Sequence, residues 1–103
     1  MTDQEGVTLL NIKDMEFIIA VMDEGNITRA AKKLFVTQSA LSQCIQRVES
    51  ELNTTLFNRT KNGIELTNSG QTFFAYADRI CKNYQDLGTT LADISNLKTG
   101  YLT

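Results

Sequence analysis

Thr37, Gln38, Ser39, Ser42 and Gln43 crowd hydroxyls and side-chain amides into one stretch of the segment NITRAAKKLFVTQSALSQCIQRVESE, residues 26–51. Such groups suit hydrogen bonding to nucleotide base edges. An amide can donate and accept together at adenine N6 and N7, and a hydroxyl adapts to several bases. Gln38 and Ser42 are four residues apart, so a helix would put them on one face, with Gln43 one residue round. We assign these three to base contacts. Set against this is the plainer reading, in which the same side chains are solvated polar surface.

Base reading needs a scaffold, and the local signals supply one. Asn11 caps a first helix, with Asp14 three residues on completing an imperfect capping box. Ile12, Met15, Ile18, Ile19 and Met22 form its apolar stripe, and Gly25 stops it. A second short helix spans about residues 28–34, where Ala30 and Ala31 allow close helix approach. Phe35 and Val36 fill the turn, and Thr37 caps a third helix. On that helix Leu41, Ile45, Val48 and Leu52 face inward, leaving Gln38, Ser39, Ser42, Gln43 and Gln46 outside. Two extended pieces, residues 56–59 and 64–67, flank Thr60-Lys61-Asn62-Gly63, whose Asn-Gly pair signals a hairpin with positive φ. Three helices and a hairpin make a mainly α, winged helix-turn-helix fold. Thr67 then caps a helix of about thirty residues. On it Phe73, Ala77, Ile80, Tyr84, Leu87, Leu91 and Ile94 alternate steps of four and three, a helix-pairing seam. A helix that long outreaches so small a domain, so its distal half needs a second chain.

Composition narrows the function classes. At 103 residues, 42% apolar and 21% charged, the chain suits one small globular domain. No apolar run approaches a membrane span and the N-terminus does not resemble a signal peptide, so a cytoplasmic location is expected. The absence of His and a lone pair of cysteines leave no metal set, no cofactor site and no catalytic constellation. Cys44 is read as a structural thiol, and Phe74 and Tyr76 as packing residues. The net charge of −2 conceals a division. Residues 1–25 hold one Lys against six carboxylates, net −5, whereas residues 26–67 hold six cations against three carboxylates, net +3. A phosphate backbone responds to the field within about 8 Å, so the local excess matters more than the total.

In order and spacing, IKDMEFIIAVMDEGNIT, ITRAAKKL, FVTQSALSQCIQRVESELNTTLF, LFNRT and LTNSG resemble the LysR-type bacterial transcription regulators. The likeness runs from Leu10 to about Leu97. Residues 1–10 read as a flexible extension, and the likeness implies a DNA-binding domain in residues 11–67. A linker and dimerisation helix follows at 68–98, then a hinge at 99–103 towards an effector-binding domain. It also implies antiparallel pairing of two linker helices, with the seam from Phe73 to Ile94 as the contact. The partners are then double-stranded DNA, a second copy of the chain, and a small-molecule effector in the further domain. Two departures stand out. Ser39 occupies a place where the family usually has Pro, and Gln43 one where a basic residue is common. Gln43 suits adenine or a water-bridged contact, whereas Arg would grip guanine.

Backbone contacts are expected around the base readers. Thr28, Thr37, Ser39, Gln46 and Arg47 lie where helix N-termini favour phosphate. Thr28 and Thr37 can also serve as caps, and Arg47 could instead pair with Glu51 four residues on. Arg59 sits where the family's wing carries an Arg that meets DNA, and Lys61 and Asn62 form the wing tip. The competing function is a winged helix that binds protein and not DNA, for which the low net basicity argues.

Overall fold

The computed structural model describes residues 10–100, with side chains to residue 96. In chain order the elements are α1 (Ile12–Glu24), α2 (Ile27–Leu34), α3 (Gln38–Leu52), β1 (Phe57–Thr60), β2 (Gly63–Leu66) and α4 (Asn68–Gly100). The architecture is the expected mainly α winged helix-turn-helix followed by a long helix. The N-terminal extension up to residue 9 and the hinge residues 101–103 lie outside the described residues. Thr99 and Gly100, read as hinge, continue α4, since no Pro intervenes to end it.

Helix boundaries follow local capping chemistry. The Asn11–Asp14 box is complete: Asp14 N donates to Asn11 Oδ1 at 2.8 Å and Asn11 N to Asp14 Oδ2 at 3.3 Å. Gly25 closes α1 at φ 67°. α2 begins one residue before the sequence expectation, because Asn26, and not Thr28, is its cap; Asn26 Oδ1 accepts from Arg29 N at 2.8 Å. Thr37 caps α3 through Ala40 N at 3.0 Å, and Thr67 caps α4 through Gly70 N at 2.9 Å.

The core is built where α1, α2 and α3 meet. Leu41, Ile45 and Val48 of α3 close on Ile18 and Val21 of α1 and on Ala30 and Ala31 of α2. The expected α1 stripe is only partly right. Val21 is fully buried although it was not assigned to the stripe, and Ile12, Met15, Ile19 and Met22 are half-buried. α1 lies between the α2–α3 pair and the start of α4, so it buries more than one face. Each side of the helix then carries part of the core.

The wing pairs Phe57 with Leu66 and Thr60 with Gly63, antiparallel, each strand lying about one residue from its expected position. At its tip the Asn-Gly turn has the positive φ expected of it. Gly63 alone takes positive φ, at 132°. A Cβ there would collide with the Gly25 carbonyl, which also accepts from Ile64 N at 3.2 Å. Glycine is therefore needed for close docking of the wing on the α1–α2 turn. On the other side Glu49 of α3 accepts from Leu56 N at 2.7 Å and Phe57 N at 3.3 Å, anchoring the first strand to α3.

Candidate nucleic-acid interface

Four residues expected at the interface meet in space despite separations of up to thirty-one positions along the chain. Thr28, at the start of α2, donates its hydroxyl to Gln38 Oε1 at 3.0 Å. That bond uses one acceptor position of the amide and leaves its NH₂ and a second lone pair for a ligand. From the wing, Arg59 Nη2 donates to Ser42 Oγ at 3.4 Å. Between these two bonds lies an open cleft of about 180 Å³, lined by Asn26, Thr28, Gln38, Arg59, Thr60 and Ile64 among others. A neighbouring cavity of about 130 Å³ brings Gln46 and Glu49 beside Arg59.

The remaining assigned residues divide by their partners. Thr37, Ser39, Gln43 and Gln46 are exposed along α3, and Lys61 and Asn62 are exposed at the wing tip. Thr60 Oγ1 accepts from Asn62 N at 3.2 Å and donates to Gly63 O at 3.3 Å, which orders the tip. Arg47 differs from the rest. Its Nη2 donates to Asp14 Oδ1 at 2.7 Å, and its Nη1 stands 3.6 Å from Glu51 Oε2. The expected Glu51 pair is present, but the shorter bond goes to Asp14, thirty-three residues away. That hydrogen bond raises the guanidinium's pKa above its usual value.

The electrostatics are weaker than the local charge of +3 suggests. Arg29 and Lys33 lie 4.0 and 3.6 Å from Glu24, and Arg47 is held by Asp14 and Glu51. Among the described residues, Lys32, Arg59 and Lys61 have no carboxylate within salt-bridge distance. Of the cations in residues 26–67, those left open to phosphate therefore lie at the wing and at the end of α2.

Two features escaped the sequence reading. Asp14, at 6% exposure, does more than cap α1: it also joins α1 to α3. Phe35, expected to fill the turn, is 94% exposed and sits at φ 59°, ψ 41°. Left-handed geometry in a bulky residue was the available warning, since a helix ending without Gly or Asn at that position must place some other residue there. Cys44 is half-buried, and its thiol is pushed up to about 11, first by burial and then by the Asp14 charge. That environment suits an inert structural thiol.

Three packed helices, the third with an exposed polar face, and a two-stranded wing define a winged helix-turn-helix protein. Residues 12–71 match the family model described as bacterial regulatory helix-turn-helix protein, lysR family, and the chain belongs to that family. A probable RuBisCO transcriptional regulator from Cyanidioschyzon merolae (strain NIES-3377 / 10D) is 39% identical over 83 residues, covering 81% of this chain and 27% of that protein. Among solved structures, the CbnR DNA-binding domain–DNA complex matches with a TM-score of 0.78 at 31% identity, over 84% of this chain and 99% of that one. The BenM DNA-binding domain in complex with catB site 1 DNA matches with a TM-score of 0.81 at 29% identity, over 84% and 97%. The chain thus spans about a quarter of the length of that regulator and nearly all of each DNA-binding domain.

Proposed function

We propose that this chain is the sequence-specific DNA-binding part of a bacterial LysR-type transcription regulator, acting in the cytoplasm by binding and not by catalysis. α3 enters the major groove, with Gln38, Ser42 and Gln43 at base edges. Thr28, Thr37, Ser39 and Gln46 approach phosphates beside it, and Arg59, Lys61 and Asn62 of the wing approach the adjacent backbone. Gathering Thr28, Gln38 and Arg59 around one open cleft, with Ser42 bonded to Arg59, is the observation that carries this reading. It links the start of α2, the recognition helix and the wing into one polar face. Relatives solved with DNA at similar fold and about 30% identity add support.

In the same reading two copies pair through α4 and bind an interrupted inverted repeat. Tyr84, Leu87, Leu91 and Ile94 are exposed beyond the packed start of that helix and Ile80 is partly so beside it, an apolar row that a second copy would cover. Phe73 and Ala77, at the start of the seam, pack on the chain's own domain and contribute mainly to attaching the helix. The domain organisation is 11–67 for DNA and α4 for pairing, with a hinge after α4 towards a small-molecule effector domain.

A gel-shift titration against the regulator's own promoter region and a random duplex, at two salt concentrations, tests the proposal. Preference for the promoter, with affinity falling steeply as salt rises, is expected. Equal affinity for both duplexes would remove the specific-binding reading. Replacing Gln38 and Ser42 together by Ala should abolish the preference; a double variant that still discriminates would refute the base-contact assignment.

A further inference from the structure

The carboxylate of Asp14 divides its two oxygens between two helices. Oδ2 accepts from Asn11 N and completes the cap of α1. Oδ1 accepts from Arg47 Nη2 at 2.7 Å and from the Cys44 thiol at 3.6 Å, both on α3. Cys44 and Arg47 are three residues apart and so flank one side of the recognition helix. Ser42, held by Arg59, lies about 140° round the same helix from Arg47 at 3.6 residues per turn. The helix is therefore gripped by polar bonds on two separate flanks. Between them Leu41, Ile45 and Val48 supply apolar contact, which is strong but non-directional and tolerates small rotations. A short charge-assisted bond to a buried acceptor is directional and resists them.

We propose that Asp14 is a positioning residue for DNA reading: through Arg47 and Cys44 it fixes the rotation of α3 from which Gln38, Ser42 and Gln43 meet the bases. The inference rests on the DNA-binding reading above. It also gives Arg47 a different role from the phosphate contact expected of it. A phosphate at Arg47 would have to approach Asp14 and Glu51, two like charges already on the guanidinium. The residue thus acts on DNA through the pose of its helix, without touching the backbone.

The experiment measures affinity for a duplex selected from a random pool, and for a random duplex, across a salt series. The proteins are wild type, D14N, R47Q and the D14N/R47Q pair, each checked by thermal melting. The paired variant leaves no uncompensated buried charge, so it keeps the comparison readable if either single variant fails to fold. Each folded variant should bind the selected duplex about tenfold more weakly, corresponding to one lost directional bond. Random-duplex affinity and the salt slope should remain at wild-type values. If R47Q instead weakens both duplexes and lowers the slope by about 0.9, Arg47 is a phosphate contact and the proposal fails. A folded paired variant with the wild-type preference ratio would overturn it as well. Wild-type protein without any preference would show that the underlying DNA-reading assignment is wrong, a result distinct from both.

Discussion

The recognition helix α3 and the distal half of α4 are both amphipathic, but they satisfy their apolar faces differently. α3 buries Leu41, Ile45 and Val48 inside its own domain, none more than 4% exposed. α4 leaves Leu87 and Leu91 each 56% exposed, after packing Phe73, Ala77 and Cys81 near its start. An apolar stripe therefore has two outcomes, set by whether the helix stays within reach of the core. At 1.5 Å per residue, α4 extends for about 50 Å and soon leaves it. The difference separates a helix that satisfies its apolar face within the domain from one that leaves an apolar row uncovered, the row on which the pairing proposal rests.

The largest effect should come from breaking the satisfied side. Leu41→Ala removes a fully buried side chain and should cost about 2–5 kcal/mol. That is a large part of the 5–15 kcal/mol typical of small domains, so denaturant melts should shift steeply. On the unsatisfied side, Leu87→Glu with Leu91→Glu should leave the fold's circular dichroism intact while light scattering falls from dimer to monomer mass. A wild-type monomer at micromolar concentration would count against the pairing proposal.

Smaller effects sharpen the contrast at the DNA face. Arg59→Ala should lower the salt slope of DNA binding by about 0.9, the loss of one phosphate contact, with affinity falling for all duplexes. Phe35→Asn should raise stability by about 1 kcal/mol, because Asn accepts left-handed geometry more readily and no buried contact is lost. A lower melting temperature would show that the exposed ring is supported by the fold. The slightest change concerns Cys44. Its thiol stays neutral in the folded protein until about pH 11, above its ordinary value of 9.0, so this group's contribution to stability is lost as pH rises from 9.0 to about 11. Alkylation at pH 8 should accordingly be slower in folded than in unfolded protein.

Most elements were legible because their signals are local. Asn11, Gly25, Thr37 and Thr67 announce helix ends through bonds to residues at most four positions away. The inward set Leu41, Ile45 and Val48 follows from helical period alone. The start of α2 was misplaced because Asn26 and Thr28 are both competent caps two residues apart, and only the path out of Gly25 selects between them. The α1 stripe was incomplete for another reason. Periodicity detects one apolar face and cannot count how many neighbours a helix will have.

By itself the sequence determined the helices, the wing and the polar groups carried by α3, since caps, turns and side-chain periods act within a few residues. Tertiary structure decided which charges remain available. Asp14 and Glu24, from the acidic first quarter, partner Arg47, Arg29 and Lys33 of the basic segment, leaving Lys32, Arg59 and Lys61 without salt-bridge partners among the described residues. Packing likewise brought Thr28 to Gln38 and Arg59 to Ser42. Electrostatic attraction and hydrogen bonding act through space over a few ångströms, and chain position does not measure that distance.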